Sequence, residues 1–293
     1  MKLPPPIVGM LEDVETDSRV LPPTALYNEG WMLRLVLHSA ARGIDCLPFQ
    51  IARGARWFSE PSLYTAFAAT SRSDKQAEKH TRADGAVGHF DFKPGTKTGL
   101  VLRSDATQFV VLEAKIGSRL SAGTTNATTF NQAARNVACI AYAISQVGRS
   151  PEQIQCGFHV VAPGPAIAAG AYQGALQRDS LLAAIDSRIQ RYSGERRAQL
   201  EQWRHAWVEP TLRGLQIGCW SWEESLQRIE EADAALGNVA PARSRDSSST
   251  ASSAITATKR GSLWPSRLGV ASGMDAARWP GHRKISRSLE ART

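Results

Sequence analysis

The sequence predicts an α/β fold, a mixed sheet flanked by helices, and three observations predict it. Leu26, Gly30, Leu33, Leu37 and Ala40 recur at helical spacing behind the helix-start signal Pro22-Pro23-Thr24. Three apolar, strand-like runs then arrive in succession, with Pro94-Gly95 and Ser104-Asp105 as the turns between them. A second helical stripe of Phe130, Ala134, Val137, Ala141 and Ile144 leads into one further short apolar run. Strands that arrive as a meander, then a crossover helix feeding another strand, are satisfied by a mixed sheet with helices on both faces.

Taken in order, the first helix is expected over residues 24 to 42, followed by an irregular region containing Trp and Pro. Strands are expected over 84 to 92, 99 to 103 and 109 to 116, a second helix over 126 to 147, and a strand over 155 to 161 that Pro163-Gly164 stops. The α-β-β-β-α-β core then carries a helical C-terminal addition to about Gly237, with one extra strand over 215 to 222. No internal repeat is visible. From Pro241 the chain is rich in Ser, Ala and Arg and keeps no helix or strand period, which reads as a disordered tail. The expected organisation is an N-terminal extension over 1 to 23, a folded body over 24 to 240, and a basic tail over 241 to 293.

Of 293 residues, 42% are hydrophobic, enough for a substantial core. The acidic stretch 12 to 17 leaves no apolar segment for a signal peptide, and no apolar run is long enough to cross a bilayer. Cys46, Cys139, Cys156 and Cys219 lack Cys-x-x-Cys spacing, which speaks against a zinc knuckle or a disulfide framework and points to a reducing cytoplasm. The net charge of +8 is unevenly spread. From Pro241 onward ten Lys and Arg stand against three Asp and Glu, so the body is nearly neutral. Electrostatic attraction to phosphate backbones is therefore expected from the tail, or from a local patch that bulk composition hides.

The stretch from Phe109 to Ile116 is the most informative for chemistry. Alternation along a strand sends Val110, Leu112, Ala114 and Ile116 into one core and brings Glu113 and Lys115 out together on the other face, their backbones about 6.5 to 7 Å apart. Phosphodiester hydrolysis needs a hard divalent cation held by carboxylate oxygens, and a positive group for the attacking hydroxide or the charge growing on phosphorus. Glu113 fits the first task and Lys115 the second. Upstream, Asp84-Gly85 opens another strand-like run, where a second carboxylate can share the cation and glycine lets backbone approach it.

These pieces resemble the PD-(D/E)xK nuclease superfamily, the restriction-endonuclease-like proteins, whose core has the same α-β-β-β-α-β order. The resemblance covers about residues 24 to 162 and is carried by Ala83-Asp84-Gly85, by Val111-Leu112-Glu113-Ala114-Lys115, by Gln132-Ala133-Ala134-Arg135 and by Glu29. It implies Mg2+- or Mn2+-dependent cleavage of nucleic acid, DNA ahead of RNA, with Asp84 and Glu113 as metal ligands and Lys115 as the charge stabiliser. Glu29 would then assist a metal or a water, and Gln132 would orient a ligand or the substrate backbone. The expected partners are nucleic acid and, optionally, a second copy of the chain in a homodimer; no membrane is expected. Ala83 replaces the family's Pro, and Asp84 and Glu113 stand 29 positions apart with a strand-like run between them. Asp91 is consequently a rival ligand. Seven positions separate it from Asp84, so a regular strand would turn the two to opposite faces; Asp91 suits a turn cap before Lys93-Pro94-Gly95.

Two other functions compete. One is a catalytically inactive nucleic-acid-binding or assembly protein with a nuclease-like fold. The other is a thiol hydrolase using Cys139 or Cys156 with His159, although no nucleophile motif surrounds either cysteine. His89 and His159 read as core imidazoles, and Trp203, Trp207, Trp220 and Trp222 as packing for the late helices. No Walker-type glycine loop is present. The charge distribution gives one prediction: removing residues 241 to 293 weakens nonspecific nucleic-acid binding and flattens its dependence on salt. An unchanged salt slope in a filter-binding titration would show that the tail does not touch the substrate.

Overall fold

The computed structural model describes residues 29 to 237, apart from 71 to 73, 75, 79 and 124 to 126. All of them belong to the compact unit Met1–Ala242. The expected N-terminal extension, the helix start at Thr24 and the basic tail lie outside the described residues.

Helix α1 (Glu29–Ala41) forms from the first stripe and buries Leu33, Val36 and Leu37. Seven strands follow: β1 (Arg56–Ser59), β2 (Ser62–Leu63), β3 (Thr81–Arg82), β4 (Gly85–Gly88), β5 (Phe90–Phe92), β6 (Leu100–Leu102) and β7 (Gln108–Ala114). Helix α2 (Gln132–Val147) crosses over to β8 (Gln155–Ala162). Helices α3 (Gly164–Ala168), α4 (Gln173–Leu176), α5 (Arg178–Ile189), α6 (Gly194–Trp203) and α7 (Glu209–Gly214) then lead to β9 (Gln216–Ser221) and α8 (Trp222–Gly237), with a π-helical turn at Arg204–Val208. No described helix is long and apolar enough to cross a membrane.

The central sheet has the order β1-β4-β7-β8-β9. β1, β4 and β7 pair antiparallel, whereas β7, β8 and β9 pair parallel. A parallel neighbour requires a crossover of a dozen or more residues, and α2 supplies it between β7 and β8. Helices cover both faces. On one, Leu33 and Leu37 of α1 meet Val110, Leu112 and Ala114 of β7 together with Trp220 and Trp222; on the other, Phe109 and Val111 meet Phe130, Ala134, Val137 and Ile144. The aromatic residues near the C-terminal end thus pack as the sequence suggests. Both faces of β7 are buried, as befits a strand flanked by helices above and below.

Three expectations change. The run 84 to 92 is not one strand, because it breaks after Gly88 and β5 leaves to pair with β6 in a separate two-stranded sheet. The third antiparallel strand of the central sheet is β1, inside the region read as irregular, and not the run 99 to 103. The second helix starts at Gln132 rather than near Asn126, since Asn131 caps it by accepting the Ala134 N–H at 2.9 Å.

Gly88 has a physical reason to be the break. Its φ is +152°, and a Cβ there would lie 2.2 Å from the main-chain oxygen of Gln108 in β7. The strand pair closes too tightly for any side chain, and the chain must turn away beyond it. Gly88→Ala should therefore destabilise the protein by at least about 2 kcal/mol, combining strain with overpacking. Chemical denaturation would measure this; wild-type stability in the variant would mean that the close approach is not maintained.

Candidate active site

Residues far apart in sequence meet at the carboxyl end of β7. β7 and β8 run parallel there, and the crevice beyond such strand ends is where open α/β sheets take their ligands. Glu113 is the penultimate residue of β7 and Lys115 follows the strand directly. The register Gly85 to Leu112 places Asp84, just ahead of β4, beside them. Asp84 Oδ2 accepts the Ala114 N–H at 2.8 Å, which fastens the carboxylate to the end of β7. Lys115 Nζ lies 2.6 Å from Glu113 Oε1 and 3.8 Å from Asp84 Oδ2.

The two covering helices begin at this point. Gln132, the first residue of α2, donates from Nε2 to Glu113 Oε1, and its own Oε1 accepts the Ser121 N–H at 3.2 Å. One turn on, Asn136 Nδ2 donates to Glu113 Oε2 at 3.3 Å. Glu29, the first residue of α1, accepts the Ile116 N–H at 2.8 Å and so holds the chain just past Lys115. The main chain of Lys115 is fixed as well, through its N–H to Val161 O and its carbonyl from Trp222 Nε1, both at 2.8 Å.

The structure thus brings Asp84, Glu113, Lys115 and Gln132 together, with Glu29 on the adjoining main chain. Asp91 is elsewhere. It sits in β5 beyond the Gly88 break and pairs with Arg56 at 2.7 Å. The parity comparison of the two aspartates does not apply, because Asp84 precedes β4 of the central sheet whereas Asp91 lies in β5, which pairs in a separate sheet. Nor does Asp91 cap the following turn; it takes a salt bridge instead.

Three further expectations need correction. Glu113 and Lys115 do not emerge from the core: they are only 1% and 6% exposed, because α2 covers that face of β7. Ile116, expected in the core, is 38% exposed, since the strand ends at Ala114. Gly85 serves packing and not the approach of a metal, for a Cβ there would lie 3.0 Å from Leu33 and 3.2 Å from Leu37.

Burial governs the electrostatics. It pushes the Glu113 carboxyl up to about 8, and repulsion from Asp84 adds to this, together outweighing the pull of the Lys115 ammonium. For Lys115, burial works against the charge, yet Glu113, then Asp84 and Glu29, raise the ammonium above its usual value. Lys115 therefore remains protonated at neutral pH. Asn136 was not evident from the sequence. It is fully buried, and its Oδ1 has no donor. Its signal was present as a second amide four residues after Gln132 in an otherwise alanine-rich helix.

Other nucleophiles are poorly equipped. Burial pushes the Cys139 and Cys156 thiols to about 12 and pulls His159 down to about 4, leaving no thiolate at neutral pH. His159 instead stacks on Phe49 in the core. Comparison with protein-family models, with curated proteins and with solved structures finds no match.

The state of Glu113 gives a prediction that needs no substrate. The folded chain binds this proton more tightly than the unfolded chain, so the contribution of Glu113 to stability is fully present below about pH 4.5 and is lost as pH rises through about 8. In EDTA, Glu113→Gln should be more stable than wild type at about pH 8 but not at about pH 5. Parallel pH dependence of denaturation midpoints in the two proteins would contradict the raised value.

Proposed function

We propose that the chain is a metal-dependent nuclease that hydrolyses phosphodiester bonds of nucleic acid, DNA ahead of RNA. One observation carries the reading. Two acids from neighbouring strands and a protonated lysine converge at a parallel strand end, where an apolar core has no structural need of them. Replacing such a buried ionic cluster by apolar residues commonly leaves stability unchanged or improves it, so a functional demand explains its presence better than stability does. The order α1, β1, β4, β7, α2, β8 within the central sheet supports the restriction-endonuclease-like comparison.

The donor set fits magnesium or manganese. Among the described residues no group of three or more His, Cys, Asp and Glu could hold a metal, and Asp84 with Glu113 offers two carboxylates. Mg2+ is commonly held by one or two carboxylates, with waters and substrate phosphate completing its shell, whereas a structural zinc site needs four protein ligands. The buried, donorless Asn136 Oδ1 is a further hard oxygen, on the same amide whose Nδ2 donates to Glu113. When bound, the cation lowers the pKa of a coordinated water and offsets phosphate charge.

The residues then divide the work. Asp84, a third of whose side chain is exposed, presents its carboxylate on the accessible side, where a phosphate can arrive. Gln132 and Asn136 hold both oxygens of Glu113, so its orientation is set before any ligand enters. Lys115 keeps its proton at Nζ and acts as a fixed positive charge toward the attacking oxygen or the phosphorane-like transition state, not as a base. Water oxygen bonds to phosphorus and loses a proton to solvent as the bond from phosphorus to the leaving ribose or deoxyribose oxygen breaks, and the leaving oxygen takes up a proton from solvent. Glu29 keeps Lys115 in place through the Ile116 N–H, and its negative charge adds to those that favour the Lys115 ammonium.

The test is incubation of the purified full chain with plasmid, linear and single-stranded substrates in Mg2+, Mn2+ or EDTA. Cleavage should require the cation and fall on the order of 100-fold or more in Asp84→Asn, Glu113→Gln and Lys115→Ala, while Asp91→Asn stays near wild type. Loss in Asp91→Asn with none in Asp84→Asn would reverse the ligand assignment, and full activity in both Glu113→Gln and Lys115→Ala would remove the nuclease reading.

A further inference from the structure

Asp84 is placed by a strained corner. After Ser59 the chain leaves the central sheet and enters β2 at Ser62, and the opposite strand makes the same passage between Arg82 and Gly85. Across this corner Glu60 N–H donates to Asp84 O at 3.0 Å and Ala83 N–H donates to Pro61 O at 3.1 Å. The main chain of Asp84 is therefore bracketed by Glu60 and Pro61.

Glu60 has a φ of +55° and is the one non-glycine residue with positive φ among the described residues. That conformation is uncommon for a side chain such as Glu, and the following Pro61 ordinarily forces its predecessor into extended backbone. The Glu60 carboxylate is held at 2.5 Å by Arg34 Nη2 of α1, whose Nε donates to Ser59 Oγ at 3.0 Å. With side chains 53% and 33% exposed, this ion pair returns little stability, and glycine would adopt the same backbone without strain. Strained residues that their neighbours hold in place are concentrated at functional sites.

We propose that Glu60, latched by Arg34, is a positioning residue that sets Asp84 for binding a divalent cation. The inference rests on the metal-dependent reading of Asp84 and Glu113. Helix α1 then holds the site from two sides, through Arg34 at the Asp84 corner and through Glu29 at the main chain after Lys115.

The experiment uses the full chain with Glu60→Gly, Arg34→Ala, the double variant and Glu60→Gln, titrating Mn2+ by electron paramagnetic resonance and recording thermal unfolding. Glu60→Gly should unfold at the wild-type temperature or above, because glycine relieves the positive φ. Its Mn2+ half-saturation should nevertheless rise about tenfold, the size of effect seen when partners of metal ligands are lost. Arg34→Ala should give a similar rise, the double variant no further rise, and Glu60→Gln, still able to accept from Arg34, a partial recovery. Wild-type affinity in Glu60→Gly, or a rise accompanied by a lower unfolding temperature, would overturn the proposal. Wild-type protein that binds Mn2+ but cleaves no nucleic acid would sink the nuclease reading alone, leaving the role of Glu60 to be decided by affinity; wild-type protein that binds no Mn2+ would overturn both.

Discussion

The burial of one carboxyl group, that of Glu113, is the constraint around which the site is arranged. Removing a carboxylate from water is expensive unless opposite charge and hydrogen bonds replace the lost hydration. Lys115, Gln132 and Asn136 provide that replacement, while Asp84 adds like charge at close range. The cluster is thus incompletely neutralised by the protein itself. A divalent cation between Asp84 and Glu113 would replace the proton that burial otherwise retains on Glu113.

The fold explains how so many groups reach one carboxyl. β7 is the strand at which the central sheet changes from antiparallel to parallel, so its end faces an antiparallel neighbour carrying Asp84 and the crossover helix carrying Gln132 and Asn136. Helix α1 seals the opposite face through Leu33 and Leu37 while its first residue reaches Ile116. Rigid elements, and not long loops, therefore orient the charged groups, an arrangement suited to preorganised electrostatics.

Much of this was legible in the sequence where the signal was local. The apolar run with Glu113 and Lys115 at its end located β7, and the two helical stripes located α1 and α2. The interrupted run 84 to 92 was not legible, because what breaks it is the Gln108 main chain pressing on Gly88 from a strand twenty residues away. β1 is four residues long and lies at the sheet edge, with no alternation to announce it. The long spacing between Asp84 and Glu113 is explained by the β5 and β6 hairpin, which is inserted between β4 and β7 and forms its own sheet. The burial of Glu113 was hidden for a similar reason: strand alternation reports which residues share a face, and only tertiary packing decides whether a helix covers it.

On the proposed function, Asp84 and Glu113 together hold a divalent cation beside Lys115. Anomalous diffraction from crystals of the full chain equilibrated with millimolar Mn2+ tests it most directly. A manganese peak is expected between the Asp84 and Glu113 carboxylates, at oxygen-ligand distances of about 2.0 to 2.3 Å, and it should disappear in Glu113→Gln. A well-ordered site with no manganese, or manganese bound only at other carboxylates, would contradict it.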